Sequence, residues 1–291
     1  MIGDQVNKSF KKLTAMLCVA GSLLMLGSCL PEPLDIQSIP VVKSQIVVST
    51  QIIPDRSLLV LLTRTFGALD ASDDSDPQEL LDLIAVSDAI VTIEGPHGRD
   101  TLNFLENGAY GGLVIPFETG EEYHLYINST ELGEVRAKTR VKAKVDFTHI
   151  EAELFYNGFN DTLAQITYTL RDSSEHNWYM INVQEVEQED FIENLLNPRA
   201  YTLLLPDSEF NGKSYGERFR VFPRDYEPGD TIAVSLSNIS EEYYSFMKLR
   251  IDNRFSFVEF FSEPVNYPSN VEGGKGYFNL YVPDVRFFVF D

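Results

Sequence analysis

Between Ser44 and Val141 the chain is repeatedly broken by turn-forming pairs, and that punctuation limits its fold more than any other feature. Ser44–Ile53 and Ser57–Thr65 are rich in Val, Ile, Leu and Thr and are separated by Pro54-Asp55-Arg56. Ala89–Glu94, Thr101–Leu105, Gly112–Phe117, Glu122–Asn128 and Gly133–Val141 continue the series, with Gly95-Pro96, Asn107-Gly108, Thr119-Gly120 and Leu132-Gly133 between them. β-Branched and aromatic runs fit a pleated, half-buried surface, and Gly, Pro and Asn end them by fixing the backbone in turn conformations. About seven short strands at this spacing predict an antiparallel sandwich of immunoglobulin or fibronectin type.

A second β-rich domain is expected from residue 144 to 291, where alternation is clearer. Ile166, Tyr168 and Leu170 point one way and Thr167 and Thr169 the other; Ile232, Val234 and Leu236 alternate with Ala233, Ser235 and Ser237. That period of two marks strands with one face toward a core. A helix is predicted after Ser240, which caps it; Glu241 and Glu242 sit at the positive end of the helix dipole and Lys248 and Arg250 near the negative end. Tyr243, Met247 and Ile251 recur on one face of it and read as core packing. A single capped helix is expected near Asp76–Asp82, and a short helix or loop over Gln188–Asn197. No internal sequence repeat is visible.

The N-terminus reads as an address. Lys8, Lys11 and Lys12 precede an apolar run from Leu13 to Ser28, and Leu26-Gly27-Ser28-Cys29 resembles a bacterial lipobox. On this reading residues 1–28 are a signal peptide, Cys29 carries palmitate-type acylation, and residues 29–35, with Pro31 and Pro33, form an extended tether. The body, residues 36–143 and 144–291, would then be held on a membrane by lipid. Cys18 lies inside the signal, so the mature chain has no thiol left for a disulfide, a metal or a nucleophile.

The formal net charge is −21, and removing Lys8, Lys11, Lys12 and Asp4 makes the body more negative still. No basic patch or run appears downstream of the signal, so no nucleic-acid partner is expected. His97, His124, His149 and His176 are scattered, and Asp146, His149 and Glu151 read as surface charge. Asp70, Asp73, Asp74 and Asp76 lack the spacing of a calcium loop. No catalytic residue, metal or cofactor is assigned. Gly273-Gly274-Lys275-Gly276 lacks the hydroxyl residue of a phosphate loop and reads as a turn.

The strongest pattern comes late. ISEEYYSFMKLRIDN, then Glu263-Pro264-Val265-Asn266, then SNVEGGKGYF at Ser269–Phe278, together with the earlier AIVTIEG and GEEYHLYI strands, resemble the family known as domain of unknown function 4249. The resemblance implies a Bacteroidota outer-membrane lipoprotein, often accompanying a TonB-dependent transporter in nutrient uptake, with no catalytic residues to carry over. It leaves the periplasmic or surface-exposed face open. A non-enzymatic accessory role is therefore expected; the alternatives are a hydrolase acting on an exported polymer and a structural or adhesive surface module. Aromatic residues crowd Glu242–Asp291, with doublets Tyr243-Tyr244, Phe260-Phe261 and Phe287-Phe288. A strand turns one ring of a doublet outward, so the expected partner-binding set is Tyr244, Phe261, Asn270, Gly273, Gly274, Tyr277, Phe278 and Phe288.

Overall fold

The computed structural model describes residues 43–52, 57–65, 82–112, 115–158, 161–186, 201–221, 225–253 and 266–291. Cys29, Phe261, the Asp70–Asp76 loop and the Gln188–Asn197 segment lie outside the described residues, as does most of the expected Asp76–Asp82 helix. Within them the strands are β1 (Ile46–Ile52), β2 (Leu58–Arg64), β3 (Ala89–Gly95), β4 (Gly98–Thr101), β5 (Asn103–Phe104), β6 (Ala109–Gly111), β7 (Glu122–Ser129) and β8 (Gly133–Arg140). There follow β9 (Phe147–Tyr156), β10 (Thr162–Arg171), β11 (Trp178–Glu185), β12 (Tyr201–Pro206), β13 (Ser214–Arg220) and β14 (Thr231–Ile239). Helix α1 (Glu241–Asn253), β15 (Val271–Glu272), β16 (Lys275–Tyr277) and β17 (Asp284–Val289) complete the order.

The first sandwich faces sheet β16-β1-β2-β6-β5 against sheet β15-β8-β7-β3-β4. Without the two late strands these orders are 1-2-6-5 and 8-7-3-4, the arrangement of an immunoglobulin-type sandwich. β6 ends at Gly111, and of the predicted Gly112–Phe117 strand the described residues, 112 and 115–117, are not in a strand; residues 115–118 lead into a turn held by Tyr123. The Tyr123 hydroxyl donates to the Pro116 carbonyl at 3.0 Å and accepts from the Glu118 N–H at 3.0 Å. This tyrosine corner, at the start of the sixth core strand, is a hallmark of the same fold. Ile46, Val48, Val60, Leu62, Val91, Ile93, Leu125, Ile127 and Val135 fill the space between the sheets, at alternate positions of their strands.

The second sandwich pairs sheet β13-β10-β9 with sheet β12-β11-β14-β17. Counting its strands from β9, the orders among the described residues are first-second-fifth and seventh-sixth-third-fourth, which is the order of the first sandwich with β5 left out. Two immunoglobulin-type folds thus stand in tandem where the sequence shows no repeat. Topology needs only alternation and turns, not repeated residues, and residues 240–283 are inserted before the last strand and break any period. Ile166, Tyr168 and Leu170 meet Tyr179, Ile181 and Val183 and then Ile232, Val234 and Leu236 in its core.

The insertion overturns the simple division at residue 143. Ser240 Oγ accepts the Tyr243 N–H at 3.1 Å and starts α1 as predicted. Downstream, β15 pairs antiparallel with β8, and β16 pairs parallel with β1. Residues 271–277, expected in the C-terminal domain, therefore cover one edge of each sheet of the N-terminal sandwich. Covering both edges removes open hydrogen-bonding rows from which a sandwich could aggregate. Met180 and Ile239, on the outer face of the second sandwich, share one apolar cluster with Tyr243, Phe278, Leu280, Tyr281 and the first core.

Candidate functional site

Glycines set the path of the β15–β16 strap. Gly273 and Gly276 have φ of +82° and +92°, a region that side chains disfavour. A Cβ at Gly274 would stand 2.6 Å from the Ile46 carbonyl oxygen, and one at Gly276 only 2.0 Å from that of Val48. Asn270 locks the far side: Nδ2 donates to the carbonyls of Phe278 at 2.7 Å and Lys138 at 2.9 Å, while Oδ1 accepts the Phe278 N–H at 2.9 Å. Thr50 exchanges two bonds with the Asn279 backbone, at 3.0 and 3.1 Å. Asn270, Gly273 and Gly274, expected at a partner surface, are thus committed to closing the sandwich.

The aromatics divide similarly. Tyr277 and Phe278, expected at the surface, are 6% and 0% exposed and belong to the core. Tyr243 is buried and Tyr244 half-buried against the same cluster. On a helix, adjacent residues lie about 100° apart rather than on opposite faces, so both can lean inward. The Phe287-Phe288 doublet does split, but Phe288 turns toward the second core and Phe287 turns out, 57% exposed. Val289 lies two residues on and is 63% exposed. Among the described residues β17 pairs only with β14, so the two side chains stand on an edge strand.

Titratable groups serve structure in the second sandwich. Asp207 accepts the Asn177 N–H at 2.6 Å, and Asp172 accepts the Gly212 N–H at 2.7 Å together with the Tyr179 hydroxyl. Burial, and then the Asp172 carboxylate, push the Tyr179 phenol far up. Among the described residues no three acids, histidines or cysteines converge on a metal-sized site. His149 pairs with Glu151 at 3.3 Å on the surface, and Asp146 pairs with Lys144 instead.

One feature escaped the sequence reading. Arg136, Lys138 and Arg140 occupy alternate positions of β8 and project from its outer face, while Val135 and Ala137 point into the core. Lys142 and Lys144 extend the spacing. Separated by Ala, Thr and Val, these cations do not read as a basic patch in sequence, yet β8 aligns Arg136, Lys138 and Arg140 on one face. Beside them Tyr126 pairs in register with Arg136, and the Arg99 guanidinium lies 4.8 Å above the Tyr126 ring. Ile90, 62% exposed, projects from the neighbouring β3.

A family model described as "Domain of unknown function (DUF4249)" matches residues 31–285. No curated protein matches the chain. Among solved structures it is similar to a two fibronectin type-III domain segment from chicken tenascin, at 9% identity, covering 67% of this chain and 91% of that one with a TM-score of 0.20. With its match running to the start of the last strand and covering most of its length, this chain belongs to the DUF4249 family.

Proposed function

We propose that this protein is a non-enzymatic accessory lipoprotein of the outer membrane, held by acylated Cys29 and bound to a TonB-dependent transporter in nutrient uptake. The supporting observation is the pairing of exposed Phe287 and Val289 on the outer face of an edge strand. Apolar side chains in that position gain by burial against a partner, and an edge strand offers backbone groups for docking. The shared apolar cluster brings Met180 and Ile239 of the second sandwich together with Tyr243, Phe278, Leu280, Tyr281 and the first core.

The test is co-purification from detergent-extracted outer membranes. Phe287→Ala combined with Val289→Thr should lower transporter yield while the unfolding free energy in urea stays within about 0.5 kcal/mol of the parent, as expected for exposed side chains. Cys29→Ser should release the protein from the membrane fraction and remove its lipid mass. Full retention of the transporter by the double variant would refute the docking edge, and membrane attachment of Cys29→Ser would refute the anchor.

A further inference from the structure

The outer face of sheet β15-β8-β7-β3-β4 holds a shallow hollow whose lining includes Ile90, Arg99, Tyr126, Asn128, Glu134 and Arg136. Strand register explains the grouping. Tyr126 lies between Arg136 on β8 and Thr92 on β3, while Asn128 lies between Glu134 and Ile90. Arg99 reaches over the Tyr126 ring from β4 on the opposite side to Arg136. Arg99, over the half-buried Tyr126 ring, and Arg136, on β8, therefore line one hollow from two sides, in a chain whose formal charge is −21.

We propose that this hollow binds a small carboxylate ligand, its carboxylate held by Arg99 and Arg136 and its apolar body resting on Ile90 and the edge of Tyr126. Guanidinium forks match carboxylates in shape and charge. Each guanidinium already holds a carboxylate of its own chain. Arg99 Nε and Nη2 donate to Glu94 Oε2 at 3.1 and 2.5 Å, whereas Arg136 Nη2 reaches Glu134 Oε2 only at 3.3 Å. The Glu134 pair is long, single and exposed on both sides, 64% and 66%. Such a pair contributes little and exchanges readily. Glu134 is thus an internal occupant of the place a ligand carboxylate would take. Ile90 supplies the apolar contact that separates a carboxylate with a hydrocarbon body from a bare inorganic anion.

The probe is sodium benzoate, titrated into the full mature chain at constant ionic strength and followed by amide resonances. The amides of residues 90–92, 126–128 and 134–136 should shift saturably, and benzyl alcohol and inorganic phosphate should leave them in place. Arg136→Gln and Arg99→Gln should each weaken binding about tenfold, the loss of a charge-assisted hydrogen bond. Glu134→Gln should tighten it about two- to fivefold by removing a weak competitor. Equal response to benzyl alcohol would reduce the site to an apolar patch, and equal response to phosphate would make it a general anion surface; either overturns the proposal. Unchanged or weakened binding by Glu134→Gln overturns it also. All three side chains are exposed, so unchanged urea midpoints should accompany these effects. The hollow lies on the other sandwich from Phe287, so the outcome is independent of transporter co-purification.

Discussion

Replacing Gly276 by alanine tests whether the β15–β16 strap is needed to close the first sandwich. Two costs arise at that position. The φ of +92° disfavours any side chain, at about 1–2 kcal/mol. The added Cβ would also fall 2.0 Å from the Val48 carbonyl oxygen and 2.8 Å from its nitrogen. Backbone atoms cannot rotate aside, so β16 must lift off β1 and lose the pairing of Val47 with Lys275, Val48 with Gly276 and Ser49 with Tyr277. Each lost hydrogen bond is worth about 1 kcal/mol net, so the total reaches about 3–4 kcal/mol. Gly120 is the control: its φ is +86° and nothing lies within 4 Å of a Cβ there, so Gly120→Ala reports the conformational cost alone. With a urea slope of about 2–3 kcal/mol per molar, Gly276→Ala should lower the midpoint by about 1–2 M and Gly120→Ala by about 0.5 M. Hydrogen exchange at residues 47–49 should accelerate only in Gly276→Ala. Equal midpoint shifts for the two variants would refute the claim that β16 closes the sandwich.

Phe278→Ala should destabilise by about 3–5 kcal/mol, because its ring is wholly enclosed and leaves a cavity; a midpoint unchanged in urea unfolding would return Phe278 to the surface. Asp88 gives a pH test. Burial would raise its pKa, but hydrogen bonds from Thr130, Ser129 and the Glu131 N–H outweigh that and hold it below the ordinary range. A carboxyl with a depressed folded pKa binds fewer protons folded than unfolded, so its contribution is complete above the unfolded value of about 3.9 and fades as pH falls through the folded one. The urea midpoint should therefore drop more steeply below pH 4 in the parent than in Asp88→Asn, and equal slopes would refute the assignment.

Much of the frame is readable in the sequence because each element rests on a local cause. The alternation at 166–170 and 232–236 fixes which side chains face the second core, and the Ser240 hydroxyl fixes where α1 begins. Only the tertiary structure decides the rest. Thr101–Leu105 is divided into an edge strand and a two-residue strand, and residues 115–117 lead into the turn under Tyr123, since sheet partners rather than propensity set those boundaries. The SNVEGGKGYF run carries the family pattern, yet its glycines and Phe278 look like a surface loop until β1 and β8 are seen on either side of it. Phe287 and Phe288 must separate on a strand, but which one faces water depends on where the second core lies. Arg99, Tyr126 and Arg136 are distant along the chain and carry no motif; strand register alone brings them to one face, because pairing partners in a sheet are chosen by the fold and not by neighbours in sequence.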